Sequence, residues 1–247
     1  MNPVATADGP RSDARRVPIR GERVYVWDLV VRASHWLIAL SIVVLSVTGY
    51  YIGDPFGTTH GAGTGGFTMA WFKAVHFYAA VVFTAAVVAR LIWMFSGPPT
   101  ARWRQFVPVD RERRRAMWGT FLFYVMARPK PPPATGHNPL AGATYVAVFG
   151  LYLVVIVSGL ALYSIDADLG SVLGAFGFLL ALFDGPQNAR WVHHVVMWLL
   201  LGFTVHHIFS ALLVSIAERN GTLDSIFSGY KYITEEEPGS NGRSQDE

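Results

Sequence analysis

The stretch Trp191–Phe209, WVHHVVMWLLLGFTVHHIF, is apolar and long enough to cross a membrane as a helix, yet it carries two pairs of adjacent histidines. Hydrocarbon penalises an imidazole whose polar atoms lack partners, so an ionisable residue at that depth points to a function. Helical phase selects among the four. At about 100° per residue, the 193/206 and 194/207 pairs fall on nearly opposite faces, and 194/206 is off by about a third of a turn. His193 and His207, fourteen residues apart, share a face to within about 40° and stand about 21 Å apart along the axis. Two ligands stacked in this way suit two metal centres, one near each membrane surface.

Composition supports a membrane setting. Of 247 residues, 52% are hydrophobic and only 15% charged, which is unlike a soluble globular chain. With no cysteine, a Cys-ligated iron–sulfur cluster, covalent c-type haem attachment, a disulfide framework and a nickel–thiolate centre are all excluded. A redox cofactor would need other ligands, and histidine is the available one. A formal charge of +3 gives nucleic-acid binding no support.

Four apolar runs match the about 20 residues that a bilayer core requires: residues 33–53, 75–95, 141–164 and 191–216. The polar segment 1–22 precedes them, and no apolar signal-peptide region occurs before Tyr25. Arg15-Arg16 resembles a twin-arginine signal, but the apolar run that follows is too long and contains a histidine, so it reads as the first span. Between the second and third spans lie Arg102, Arg104, Arg111, Arg113, Arg114, Arg115, Arg128 and Lys130, whereas segments 54–74 and 165–189 hold only Lys73 as a base. The positive-inside bias puts the 96–140 loop and both termini in the cytoplasm. The expected fold is therefore an all-α membrane protein, a four-transmembrane-helix bundle spanning residues 23–232, followed by a disordered cytoplasmic tail at 233–247. Leu169–Phe183 is apolar but short for a span, and is expected to form an extra interfacial or re-entrant helix on the periplasmic side. Arg111–Val125 reads as a basic interfacial helix beside lipid headgroups.

This topology pairs the histidines by depth. His76 and His193 lie near the periplasmic ends of the second and fourth spans, and His35 and His207 lie towards the cytoplasm, His207 somewhat deeper. Facing helices that each supply one imidazole hold a low-spin haem with both axial positions filled. A single histidine in a span is ordinarily a helix–helix hydrogen-bond partner. A depth-matched set of four favours two non-covalently bound haem b groups. Zinc is the competing metal, but no carboxylate or thiol accompanies the histidines. His194 and His206 point elsewhere and are second-choice ligands, while His60 lies in a Gly-rich loop. Gly49, Gly159 and Gly202 allow close approach of helices or a porphyrin. Arg90 and Arg32 are candidates for haem propionates or for snorkelling to the interface. His137-Asn138, in GHNPL, is a candidate for a quinone carbonyl or simply the start of the third span.

The motifs VYVWDLVVRASHW, VTGYYIG, KAVHF, ARLIW, GHNPLA, SGLALYS, WVHHVVMW, HHIF and SGYK follow one another through residues 22–232. In this order they resemble the cytochrome b subunits of membrane-bound, quinone-linked nickel–iron hydrogenases. The resemblance implies a dihaem protein of the bacterial cytoplasmic (inner) membrane with His35, His76, His193 and His207 at the ligand positions. It also implies electron transfer from a periplasmic hydrogenase small subunit, and through it the large subunit, to quinone. Hydrogen chemistry itself would belong to those partner chains. The segment RNGTLDSIFSGYKY and the extra His206 depart from the family pattern. Gamma subunits of formate dehydrogenase share the histidine spacing of the last span and form an alternative, as does a stand-alone dihaem quinone-linked cytochrome b. A haem-free membrane anchor or transporter is the reading from a different class.

Overall fold

Without water, a segment crossing a bilayer must satisfy its own backbone groups, and an α-helix does so within one segment. The computed structural model describes residues 21–55, 65–103, 106–107, 111–127, 139–168, 170–218 and 221–234. Among these, four helices are long and apolar enough to cross: α1 (Leu29–Gly53), α2 (Gly65–Ser96), α4 (Pro139–Tyr163) and α5 (Pro186–Glu218). Each coincides with an expected span, and α2 and α5 extend well beyond it. Hydropathy marks where the bilayer is, whereas a helix continues until a cap or a proline stops it. Thus α1 begins where Asp28 Oδ1 accepts the Val31 N–H at 3.0 Å, and α5 begins at Pro186, a residue suited to the first helical turn.

α1 packs along α2 and α4 along α5, and the two pairs touch more sparingly, α2 against α4. Their shared core draws on all four spans: Ile38 from α1, Phe83, Ala86 and Val87 from α2, Val148 and Tyr152 from α4, Val196 and Leu200 from α5. Between α2 and α4 comes the basic helix α3 (Arg111–Tyr124), packed on α4. The apolar stretch before α5 forms a 3₁₀ helix over Gly174–Phe183, too short to cross, which rests on α4 and α5.

The all-α expectation needs one correction. β1 (Gly21–Tyr25) pairs antiparallel with β2 (Tyr230–Thr234), in register from Gly21 opposite Thr234 to Tyr25 opposite Tyr230. Residues 21–22 and 233–234, which the sequence assigns to polar tails, are therefore strand, and the rest of both tails lies outside the described residues. Two five-residue strands leave little periodic signal. They become favourable because the start of α1 and the end of α5 emerge at one end of the bundle, as an even number of crossings demands.

The short helix α6 (Thr222–Ser228) completes a cap over that end. Trp27 Nε1 donates to Ser225 Oγ at 3.0 Å, and the Arg32 guanidinium donates to the Phe227 carbonyl. Trp36 stacks near Phe227, with centroids 4.7 Å apart. Gly229, in the SGYK motif, has φ 87°, and a Cβ there would lie 2.7 Å from Tyr25 Cε2. Only glycine suits that backbone and that space.

Asp28 joins this cap to the bundle, because its second oxygen accepts from Trp93 Nε1 at 2.9 Å. Asp28→Ala removes both bonds and is expected to destabilise the protein by about 1–3 kcal/mol. Asp28→Asn retains one carbonyl oxygen and should lose less. Thermal unfolding in mild detergent checks the order, and equal melting temperatures for wild type and Asp28→Ala would contradict it.

Candidate functional site

At the end of the bundle opposite the cap, two histidines are held in matching ways. His76 of α2 leans on α1, where its Nδ1 lies 2.8 Å from Thr48 Oγ1. His193 of α5 leans on α4, where its Nδ1 lies 3.0 Å from Ser158 Oγ. Each hydroxyl also bonds the carbonyl four residues back in its own helix, Thr48 to Val44 at 2.7 Å and Ser158 to Val154 at 2.8 Å. A hydroxyl has one proton, and a carbonyl can only accept it. The hydroxyl oxygens therefore accept from the imidazoles, Nδ1 carries the ring proton, and Nε2 keeps its lone pair.

The residue after each hydroxyl is glycine. A Cβ on Gly49 would come within 3.2 Å of His76 Cε1, and one on Gly159 within 3.2 Å of His193 Cε1. Both glycines are notches for an imidazole, whereas Gly202 has nothing within 4 Å of its would-be Cβ. Of the three glycines singled out by sequence, two therefore serve a close approach, and that approach is to a histidine ring.

Nearer the cap, His35 of α1 and His207 of α5 face each other with ring centroids 6.2 Å apart and an interplanar angle of 57°. The depth difference expected between them is thus absorbed in the packing. Phe203 stacks on His207 (5.6 Å, 18°), Tyr145 meets it edge-on at 6.0 Å, and Trp36 meets His35 edge-on at 5.2 Å. His35 Nδ1 and Arg32 Nε are buried here and have no hydrogen-bond partner among the described residues. On every span the shared core lies between the two histidine levels: Ile38 between 35 and 48, Phe83–Val87 between 76 and 90, Val148–Tyr152 between 145 and 158, Val196–Leu200 between 193 and 207.

Among the described residues, no group of three or more His, Asp or Glu side chains could hold a metal ion. Zinc takes three or four protein ligands. Paired imidazoles suit a metal that brings its own equatorial ligands, as haem iron does. The buried orphan nitrogens, the glycine notches and the free Nε2 atoms fit such a group.

Arg90, His194 and His206 are engaged with other protein groups. Arg90 is only 6% exposed and is engaged with the protein: Nη1 donates to the Ala101 carbonyl at 3.4 Å and the guanidinium lies 5.4 Å from the Phe106 ring centre. His194 donates from Nδ1 to the Arg190 carbonyl at 2.7 Å and presents Nε2 to the backbone of α1 at Gly53. His206 is exposed, with Nε2 3.3 Å from Ser210 Oγ. His60, His137 and Asn138 lie outside the described residues. Thr48 and Ser158 were not singled out by sequence, although both stand inside quoted motifs, VTG and SG. Hydroxyls are common in membrane helices, so only their repeated place before a glycine could have marked them.

The notches predict a contrast. Gly159→Ala is expected to force the His193 ring aside and lower thermal stability in detergent. Gly202→Ala meets open space and should be neutral or stabilising by up to about 1 kcal/mol. A smaller loss at Gly159 than at Gly202 would contradict the packing described.

Comparison with known proteins bears on this arrangement. The family described as Prokaryotic cytochrome b561 matches residues 26–229. A Bradyrhizobium diazoefficiens protein named probable Ni/Fe-hydrogenase B-type cytochrome subunit is 34% identical, covering 93% of this chain and 97% of the relative. Proteins of the same name from Cupriavidus necator (33% identity, 84% and 86% covered) and, as hydrogenase 1, from Escherichia coli (31%, 84% and 90%) are also similar. With four crossing helices and a match over most of its length, the chain belongs to the prokaryotic cytochrome b561 family, whose members are multi-pass haem proteins of the bacterial inner membrane.

Proposed function

We propose that this protein is the dihaem b-type membrane subunit that carries electrons from a nickel–iron hydrogenase to the quinone pool. The observation that carries this reading is the two-by-two arrangement of four histidines, with an apolar core between the levels. The names borne by the similar proteins supply the hydrogenase. Positive-inside bias puts the cap and the His35/His207 level towards the cytoplasm and the His76/His193 level towards the periplasm. A hydrogenase small subunit would then dock at the periplasmic end, where little basic charge occurs.

In this reading His76 and His193 would hold one haem and His35 and His207 the other, and each haem would supply one-electron transfer. The protein's own contribution is holding and insulation. Thr48 and Ser158 fix two ring orientations, Phe203 and Tyr145 confine His207, and the core between the levels keeps water out. Arg32, through its buried Nε, is the candidate for a propionate at the His35/His207 level. Both arginines donate through Nη1 to a backbone carbonyl, but only Arg32 has a buried nitrogen left open among the described residues, which makes Arg90 the weaker candidate. His137 and Asn138 stay candidates for quinone, since Pro139 opens α4 at the capped end, near His35/His207.

Two measurements test this. His207→Ala should remove one of two haems per chain, as read from the reduced-minus-oxidised spectrum of the purified complex, while His206→Ala retains both. A preparation with no haem spectrum, or loss of haem from His206→Ala but not from His207→Ala, would overturn the assignment. For orientation, the cysteine-free chain lets single cysteines report without background. Asp168→Cys in intact spheroplasts should react with a membrane-impermeant maleimide, and Arg115→Cys only after lysis. The opposite pattern would invert the topology.

A further inference from the structure

The two histidine levels differ in what lies behind the rings. At the His76/His193 level both Nδ1 atoms meet a hydroxyl oxygen whose own proton is committed to a helix carbonyl. At the other level His35 Nδ1 is buried with no partner among the described residues. The paired arrangement is also repeated in sequence. Thr48-Gly49 receives His76, and Ser158-Gly159 receives His193. Each hydroxyl–glycine pair belongs to the first helix of its packed pair and each histidine to the second.

We infer that Thr48 and Ser158 are positioning residues that make the His76/His193 level the lower-potential of the two. This deepens the dihaem reading and rests on it. An imidazole that donates Nδ1–H to a fixed acceptor gains electron density at Nε2 and is the stronger donor to a metal. A stronger donor favours the oxidised, more positively charged metal, so the potential falls. Both ligands are reinforced at one level, and at the other His35 lacks such a partner. Electrons entering at the end opposite the cap would therefore run downhill towards the cap. The two hydroxyls would give the chain its direction through neutral hydrogen bonds to the rings themselves.

The test is an equilibrium redox titration of the whole complex, followed by haem absorbance, for wild type, Thr48→Val, Ser158→Ala and the double variant. Each lost hydroxyl should shift the lower-potential step upward by on the order of tenfold in its reduction equilibrium, about 59 mV for one electron. The higher-potential step should stay in place, and Thr48→Ser should titrate as wild type. If Thr48→Val loses a haem, retention in Thr48→Ser still assigns the role to the hydroxyl, and loss in both overturns it. An unmoved lower step with both haems present, or movement of the higher step alone, also overturns the inference. Wild type with fewer than two low-spin haems, or unchanged haem content in His76→Ala, would instead sink the dihaem reading, and haem content is read before the potentials.

Discussion

An imidazole in hydrocarbon must have its nitrogens accounted for, because an unbonded polar atom there costs several kcal/mol with no water to relieve it. Much of this bundle follows from meeting that demand for His76 and His193. Each ring needs an acceptor on a neighbouring helix, and a hydroxyl can serve only if its own proton is placed elsewhere. The carbonyl four residues back takes that proton. The ring must also reach the receiving helix closely, and a glycine beside the hydroxyl makes the room. The result is two helix pairs, each with one receiving and one presenting member.

Between the levels lies a cluster of aliphatic and aromatic side chains, with Phe83 and Tyr152 edge to face at 5.2 Å. This separates the polar demands of one level from those of the other. The level nearer the cap is built less symmetrically, with aromatic rings around His207 and two buried nitrogens, Arg32 Nε and His35 Nδ1, left without acceptors among the described residues. Such atoms are tolerable where a cofactor's acidic edge or an ordered water meets them. The contrast between the levels is thus a contrast in how much the protein supplies itself.

The four crossings were legible because hydropathy over about 20 residues is a strong signal and arginine placement is asymmetric. The choice of His193 and His207 followed from helical phase alone. The His35–His207 contact needed three dimensions, because tilt and packing decide whether a depth difference closes. Thr48 and Ser158 were hidden by their ordinariness, since their role exists only through a ring from another helix. The β1–β2 sheet was hidden for a different reason. Its strands are five residues long and almost the whole described chain apart, so neither local propensity nor periodicity could join them. Helix ends were set by Asp28 and Pro186 rather than by the bilayer.

The cap has a bearing on biogenesis. Its bonds join residues near opposite ends of the chain: Trp27 to Ser225, Arg32 to Phe227, and β1 to β2. A ribosome releases the first partners long before the second, and β2 emerges only after α5 has been made. The first span therefore enters the bilayer with Arg32 and His35 uncovered, and they stay so until the last helix is in place. A chain missing its final crossing would deliver β2 to the other side of the membrane, so the cap can close only once all four spans are in place.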